Sequence, residues 1–554
     1  MKLKSIIFFV IVNTLLVYSQ NSQPPITISV KQLQIPVLRH KEVNPVIEIE
    51  MRVFDTTKSF SVDEISFSAR GTTDMNDIES ASLFYYENTQ NNDLPVIPEK
   101  AFLFAKIVKP GKQIVFKGSR KLRRGNNYFC FSYRLADNAN IMNVVSATCL
   151  KINTNFGAAG IEQSKEIFAQ PIGIALRKHN DDSVHTYRIP GLAVTNKGTL
   201  LASFDMRNKK ETDLQGDIDI GIARSTDGGN TWSKTKKALD MKNWGNLPEK
   251  FNGVSDACLL VDKNSDNIFL AGLWMHGVLD EKGRWIDGLT DTSSMWNHQW
   301  LARGSQPGFD IKETSQFLIA KSTDDGLTWS EPVNITKMCK KENWWLFAPS
   351  PGNGITMKNG TLVFPTQGRD SVGNTFSNII YSTDGGIRWK VSEPAQTNTT
   401  ECAVVELDSN ILLLNMRDNR NRTNTIYENG RAAALSKDMG NSWSAFTHNA
   451  LTEPVCMASL LKHEYREDGE NRSILLFSNP NSAVDRSKLT IKISFDRGMT
   501  WPEEYWLLLD ERIGRGYSSM TSINEHTIGI LYEGSQADLV FQKISLSEIL
   551  KKTE

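Results

Sequence analysis

The sequence predicts an all-β chain: a six-bladed β-propeller preceded by an N-terminal β-sandwich domain. Two observations predict it. Five boxes of the pattern Ser-x-Asp-x-Gly-x-x-Trp recur through the C-terminal two-thirds of the chain. The region before them reads as short strands of alternating apolar residues separated by turn residues. At 554 residues the chain is too long for a single core, so two domains or a repeat array are expected.

The first element is a leader. Lys2 and Lys4 precede an apolar run at residues 6–18, broken only by Asn13 and Thr14. The run is short for a bilayer span and has the anatomy of a signal peptide. Val17 and Ser19 satisfy the small-residue rule, so cleavage is expected after Ser19. Residues 1–19 are thus read as a signal peptide. The remainder is expected to be exported to the periplasm, the cell surface or the medium, with no integral membrane segment after cleavage.

Residues 20–160 form the expected sandwich, carbohydrate-binding-like in character. Strands are predicted at 46–53, 102–108, 128–135 and 144–152. The Tyr85–Tyr86 pair could stack on a sugar, but neighbours on a strand face opposite ways, which favours a structural role. A softer stretch, 153–159, reads as a linker, and residues 161–554 are assigned to the propeller.

The boxes lie at 225–232, 322–329, 382–389, 436–443 and 494–501, with starts 97, 60, 54 and 58 residues apart. A strand-rich repeat of about 55 residues suits a four-stranded propeller blade. The long first gap fits one blade plus an insertion at roughly 279–313. Strands after Trp501 can supply a sixth blade, and a strand near 173–177 is needed to stitch the ring shut. Within a box the Asp accepts backbone N–H bonds, the Gly supplies the positive φ and the Trp plugs the gap between strands. Arg388 and Ser442 replace the usual Thr at little expected cost. The boxes are read as structural, because each offers too few convergent oxygens for calcium.

Composition narrows the function. The chain is 40% hydrophobic and 23% charged with zero net charge, so no nucleic-acid partner is expected. The six Cys are scattered without a C-x-x-C pair, and no metal site is expected. Cys130 and Cys149 lie in strand-like runs and either pair or stay as buried thiols.

Tyr187-Arg188-Ile189-Pro190-Gly191 followed by these boxes resembles the bacterial exo-α-sialidases (neuraminidases) with Asp-box repeats, as found in gut and oral Bacteroidetes. The likeness covers about residues 173–547. It implies a six-bladed propeller whose central funnel collects loops from every blade. It also implies hydrolysis of terminal α-linked sialic acid from sialoglycoproteins, gangliosides or sialyl-oligosaccharides, with no cofactor.

That chemistry must hold a carboxylate borne on the anomeric carbon, and guanidinium groups bond a carboxylate bidentately. Arg188, Arg417 and Arg486 match the family's three arginines. A carboxylate nucleophile would be repelled by the substrate anion, and sialidases use a Tyr instead. Tyr517 matches that nucleophile, and Glu401 matches the base that a phenol needs. Glu406 is the competitor of Glu401. Asp213, six residues after Arg207, matches the acid/base on a mobile loop, with Asp217 and Asp219 as competitors. Arg207 is expected to line the pocket. Asp256 matches the residue that reads the N-acetyl N–H and the 4-hydroxyl, Trp274 or Met275 would wall the acetyl methyl, and Gln367 would reach the glycerol chain.

Two other readings remain at this point. The intermediate could pass to another sugar or collapse on its own glycerol hydroxyl, with Trp285, Trp296 and Trp300 as an acceptor platform. A non-catalytic sialic-acid lectin on the same propeller would lack the nucleophile, its base or the acid.

Overall fold

The computed structural model describes residues 25–552 except 55–56, 88–96, 99, 161–167, 215, 279, 283, 285, 287, 290–292, 294–297, 299–304, 409, 424–428 and 449. The expected signal peptide, and Trp285, Trp296 and Trp300, lie outside the described residues. The chain divides into two compact units, Met1–Ala175 and Leu176–Glu554. Almost every element is a β-strand.

The first unit holds two antiparallel sheets. One runs in the order Ile26–Gln32, Asn44–Val53, Gly125–Leu135, Ile78–Glu87 and Phe102–Val108. The other runs Gly157–Gly160, Thr148–Thr154, Ser61–Ser68 and Gln113–Lys121. Their inner faces meet through aromatic side chains: Phe67 and Phe116 lie 4.4 and 5.8 Å from Phe131. Tyr85 and Tyr86 are both buried, and their hydroxyls donate to Asn127 and Glu48, each at 2.7 Å. They therefore present no open platform to a sugar. All six cysteines are buried and none is in a disulfide.

The expected linker at 153–159 is instead part of a hairpin, with Asn153 opposite Ala158 and Thr154 opposite Gly157. The Gly-Ala-Ala-Gly return strand has no large apolar side chain to show alternation. Gly157, at φ 113°, marks the turn.

The second unit is a succession of antiparallel up-and-down strand groups. The first group comprises Thr186–Val194, Leu200–Arg207, Ile218–Ser225 and Lys236–Leu239. The pattern repeats down to Ser518–Asn524, Thr527–Tyr532 and Leu539–Ser545. Apolar clusters fill the spaces between successive groups: Leu201, Ile220, Val254, Leu270 and Leu318 share one core, and Ala403, Leu413, Leu460, Phe477 and Trp501 another. The first strands of the first and last groups meet, where Leu192 N–H donates to Ser519 Oγ at 2.9 Å. Asn353 from the middle of the series joins them, donating to Leu192 O at 2.7 Å and to Ser519 Oγ at 3.0 Å. The first strands thus gather round a common centre, where residues remote in sequence become neighbours.

Each box opens on the last residue of its group's third strand: Ser225, Ser322, Ser382, Ser436 and Ser494. Ser225 Oγ donates to Asp227 at 2.7 Å and accepts from Gly229 N–H at 2.8 Å. The second Asp227 oxygen accepts from the Thr231 hydroxyl at 2.6 Å. Arg388 keeps the backbone bond to Asp384 at 2.9 Å and has no hydroxyl for the second oxygen.

The boxes depart from the expected mechanics in two ways. Two consecutive residues, not one, take positive φ, and Asp325, Met439 and Arg497 fill the first of these places at 64°, 58° and 64°. Only Trp389 and Trp501 are buried plugs, whereas Trp232, Trp329 and Trp443 stay half-buried. Trp232 meets Phe541 edge-on at 5.0 Å and keeps part of its surface in water.

Candidate active site

Three strand bulges lie at the centre of the second unit. The pairing register shifts between Arg188 and Gly191, between Ser255 and Cys258, and between Thr399 and Cys402. The skipped residues include Ile189, Asp256 and Glu401. A bulge bends its strand and re-aims the side chains beside it. Ile189 and Asp256 adopt φ of 58° and 57°. For a β-branched residue such as Ile189 this backbone is strained, by roughly 1–3 kcal/mol. The strain sits beside Arg188, and neighbouring bonds hold it: Ile189 N–H donates to Glu533 at 2.9 Å.

Tyr517 immediately precedes the strand Ser518–Asn524 and is buried. Its hydroxyl donates to Glu401 Oε1. Arg417 Nη1 donates to Glu401 Oε2 at 2.6 Å and to the Tyr517 hydroxyl at 3.1 Å. The sixteen-residue spacing of Glu401 and Arg417 follows from the hairpin register, in which Thr399 faces Asp418 and Cys402 faces Met416. Arg188 and Arg486 flank the phenol ring, their guanidinium carbons 5.6 and 5.5 Å from its centroid. Arg486 also donates to Arg515 O at 2.8 Å. Burial and the Glu401 charge push the Tyr517 pKa well above that of an ordinary phenol, against the pull of Arg417 and Arg486. A phenol in this setting can attack only if its proton passes to a neighbouring base, and Glu401 is the carboxylate that accepts its hydrogen bond.

Asp213 stands on the loop between Leu200–Arg207 and Ile218–Ser225, with 76% of its side chain exposed. Arg207 Nη1 reaches it at 2.5 Å. Partial desolvation by the surrounding protein would raise the Asp213 pKa, but the Arg207, Arg188 and Arg486 charges outweigh it and hold the carboxyl below its usual value. Arg207 is itself fully buried, donating to Glu211 O at 2.8 Å and to Asp205 at 3.2 Å. The competitors of the sequence reading are otherwise engaged: Asp217 accepts from Asn208 at 2.7 Å, Asp219 pairs with Lys237 at 2.6 Å, and Glu406 accepts from the backbone of Lys358 at 2.7 Å.

Gln367 Nε2 donates to Asp256 at 2.9 Å, which brings these two together. Burial, with Glu401 and Asp205 nearby, raises the Asp256 pKa well above the ordinary carboxylate range. Trp274 and Met275 separate. Trp274 is fully buried in a core beside Trp244 and His298, at 4.8 and 5.4 Å, and does not reach the site. Met275 faces the other way, packing with Leu273 and Ala348 against Leu214, the residue after Asp213. Strand alternation is the cause: only one of two successive residues can face the pocket.

Two buried carboxylates went unread in the sequence. Glu533 is enclosed completely and bonds Arg188 Nε at 2.5 Å. It also accepts from Tyr517 N–H at 3.1 Å, so one carboxylate fixes both residues. Burial would lower the Arg188 pKa, but Glu533 outweighs this and raises it, so Arg188 remains charged. Asp205 holds Arg207 from below, accepts from Ser255 Oγ at 2.6 Å, and is pushed by burial to about 6. The available signal was a lone acid in or after an apolar strand, Phe204-Asp205-Met206 and Tyr532-Glu533. At the mouth, Arg515 reaches Glu211 of the Asp213 loop at 2.9 Å.

Residues 189–503 match the BNR repeat-like domain, and residues 25–156 match the N-terminal domain of BNR-repeat neuraminidase. A sialidase of Bacteroides fragilis is 37% identical over 548 residues, spanning 95% of this chain and 96% of that protein. The chain belongs to the sialidase family. Exo-α-sialidase activity, a glycoside hydrolase reaction, comes with that membership. The solved structure of the Hadza microbial sialidase Hz136 superposes with a TM-score of 0.82 at 34% identity, over 94% of this chain and all of that one. The intramolecular trans-sialidase of Ruminococcus gnavus, at 18% identity and a TM-score of 0.54 over 68% of this chain and 98% of its own, shares the fold alone. The sialidase β-propeller therefore describes the all-β second unit.

Proposed function

We propose that this sialidase removes terminal α-linked sialic acid with retention, through a covalent sialyl–tyrosine intermediate. One observation carries the reading: the buried Tyr517 hydroxyl donates to Glu401 while Arg417 bonds both. Arg188, Arg417 and Arg486 form a cationic bed for the substrate carboxylate. Tyr517 Oη bonds the anomeric carbon as the glycosidic C–O bond breaks, Glu401 takes the phenol proton, and Asp213 protonates the leaving oxygen. Water then attacks the same carbon and gives its proton to Asp213. Tyr517 leaves as Glu401 returns its proton, and free sialic acid departs.

The Asp213 charge state fits this cycle through the substrate. In the empty site Arg207, Arg188 and Arg486 favour the carboxylate. A bound sialic acid brings its own anion to those cations and raises the affinity of Asp213 for a proton. The acid thus arms when a carboxylate substrate is present. The alkaline limb of the kcat profile, which reports the complex, should lie at higher pH than the titration of Asp213 in the free enzyme.

The same reading assigns Arg207, Asp256, Gln367 and Met275 to the pocket walls. It takes the strand groups as six blades, residues 20–160 as a sandwich module, and the enzyme as exported after loss of residues 1–19. Sialoglycoproteins, gangliosides and sialyl-oligosaccharides are the proposed substrates. A fluorinated sialyl inhibitor tests the core of it. The expected adduct lies on the peptide containing Tyr517, and an adduct elsewhere, or none during inactivation, overturns the nucleophile. Product analysis by NMR separates free sialic acid from an internal anhydride.

A further inference from the structure

Beside the Asp213 loop lies a second concavity. It encloses a cavity of ≈ 100 Å³, lined by Lys209, Lys210, Thr212, Asp217, Lys250 and Phe251 among others. Asp213 sits between Thr212 and Gly216, both of which line it, so one loop forms a wall of this cavity and carries the acid. Three ammonium groups stand around it, and all three lysines are exposed. Among the described residues Lys209 and Lys210 engage no carboxylate, and Lys250 Nζ lies only over the Phe251 ring at 4.7 Å. The other cations of this neighbourhood are spoken for: Arg207 by Asp205 and Asp213, Lys237 by Asp219, and Arg515 by Glu211. Among the described residues Asp217 is the only acid in the lining, and it accepts from Asn208 at 2.7 Å.

We propose that this cavity is an aglycone subsite for an acidic sugar, one that carries a carboxylate or a sulfate ester next to the sialic acid being removed. The placement is chemical as well as spatial. Asp213 protonates the oxygen that joins the two sugars, so the leaving sugar lies against the Asp213 loop. Unpaired lysines on that loop offer point charges without fixed direction, suited to an anion whose position varies with linkage. The Phe251 ring and the Thr212 hydroxyl supply an apolar face and a polar contact for a sugar ring.

The inference rests on Asp213 being the acid, and its test keeps the two separable. The Lys209→Gln/Lys210→Gln/Lys250→Gln variant is compared with the wild type on three substrates: an α2,8-linked sialic acid dimer, a 6-sulfated sialyl-lactosamine and 3′-sialyllactose, whose leaving sugar is neutral. Exposed ion pairs of this kind predict a fall of about tenfold in kcat/KM on one or both acidic substrates. Turnover of 3′-sialyllactose should stay within about twofold. Raising salt from low to high concentration should shrink the wild-type preference and leave the variant flat. A fall confined to the dimer names an internal sialic acid as the ligand, and one confined to the sulfated glycan names a sulfate. An equal fall on all three substrates, or none on either acidic one, overturns the subsite. A wild type inactive on every sialoside would instead overturn the function proposed above.

Discussion

The two halves of the proposed catalytic centre are built differently. The nucleophile half is sheet: Glu401 and Tyr517 are 7% and 6% exposed, and Arg417 ties them together. The acid half is loop: Asp213 has 76% of its side chain in solvent, and a single guanidinium, that of Arg207, reaches it. The difference tracks the proton. In the proposed reaction the Tyr517 proton travels only to Glu401 and back, so the pair gains from rigidity and exclusion of water. In the same reaction Asp213 must let the leaving sugar out and admit the attacking water, from which it takes its next proton. A rigid, enclosed acid would do neither.

This contrast yields predictions of decreasing size. Tyr517→Phe removes the attacking oxygen from a prebuilt pocket, so turnover should fall by roughly a thousandfold or more while the fold and sialoside binding persist. Retention of near-normal turnover would mean that the rigid half is not where the bond forms. Asp213→Asn should cost about 10²–10⁴-fold on sialyllactose but far less on an aryl sialoside, whose leaving group needs no proton. Equal losses on both would remove Asp213 as the acid.

Glu533→Gln probes the support beneath the rigid half. It leaves Arg188 buried beside a neutral amide, and breaking such a pair costs about 3–5 kcal/mol. A lower Tm together with a raised KM is expected, and an unchanged Tm would show that the pair carries no structural weight. The smallest effect lies far from both halves, in the boxes. Arg497→Gly relieves a left-handed residue whose side chain is exposed and should stabilise by about 1 kcal/mol without changing kcat. A change in kcat would show that box geometry reaches the centre.

The same contrast explains what could be read in advance. The boxes were legible because Ser, Asp, Gly and Trp act through local bonds within eight residues. Arg188, Glu401, Arg417 and Tyr517 were legible through motif resemblance, and the hairpin spacing of Glu401 and Arg417 supported it. Glu533 and Asp205 were not, since a buried acid has meaning only once its distant arginine is known. Trp274 misled because both it and Met275 lie on an apolar strand whose facing is fixed by register with its neighbours. The stretch at 153–159 misled for the opposite reason, as its small residues carry no pattern at all.

Glu533 has a consequence for biosynthesis. Arg188 emerges from the ribosome 345 residues before the carboxylate that neutralises it. Until that late segment docks, the half-formed ring holds an arginine at its centre without its counter-ion, and Tyr517 lacks the bond that fixes its backbone. The active centre therefore cannot assemble as its parts are made. A chain cut short before residue 533 is expected to be both unstable and inert.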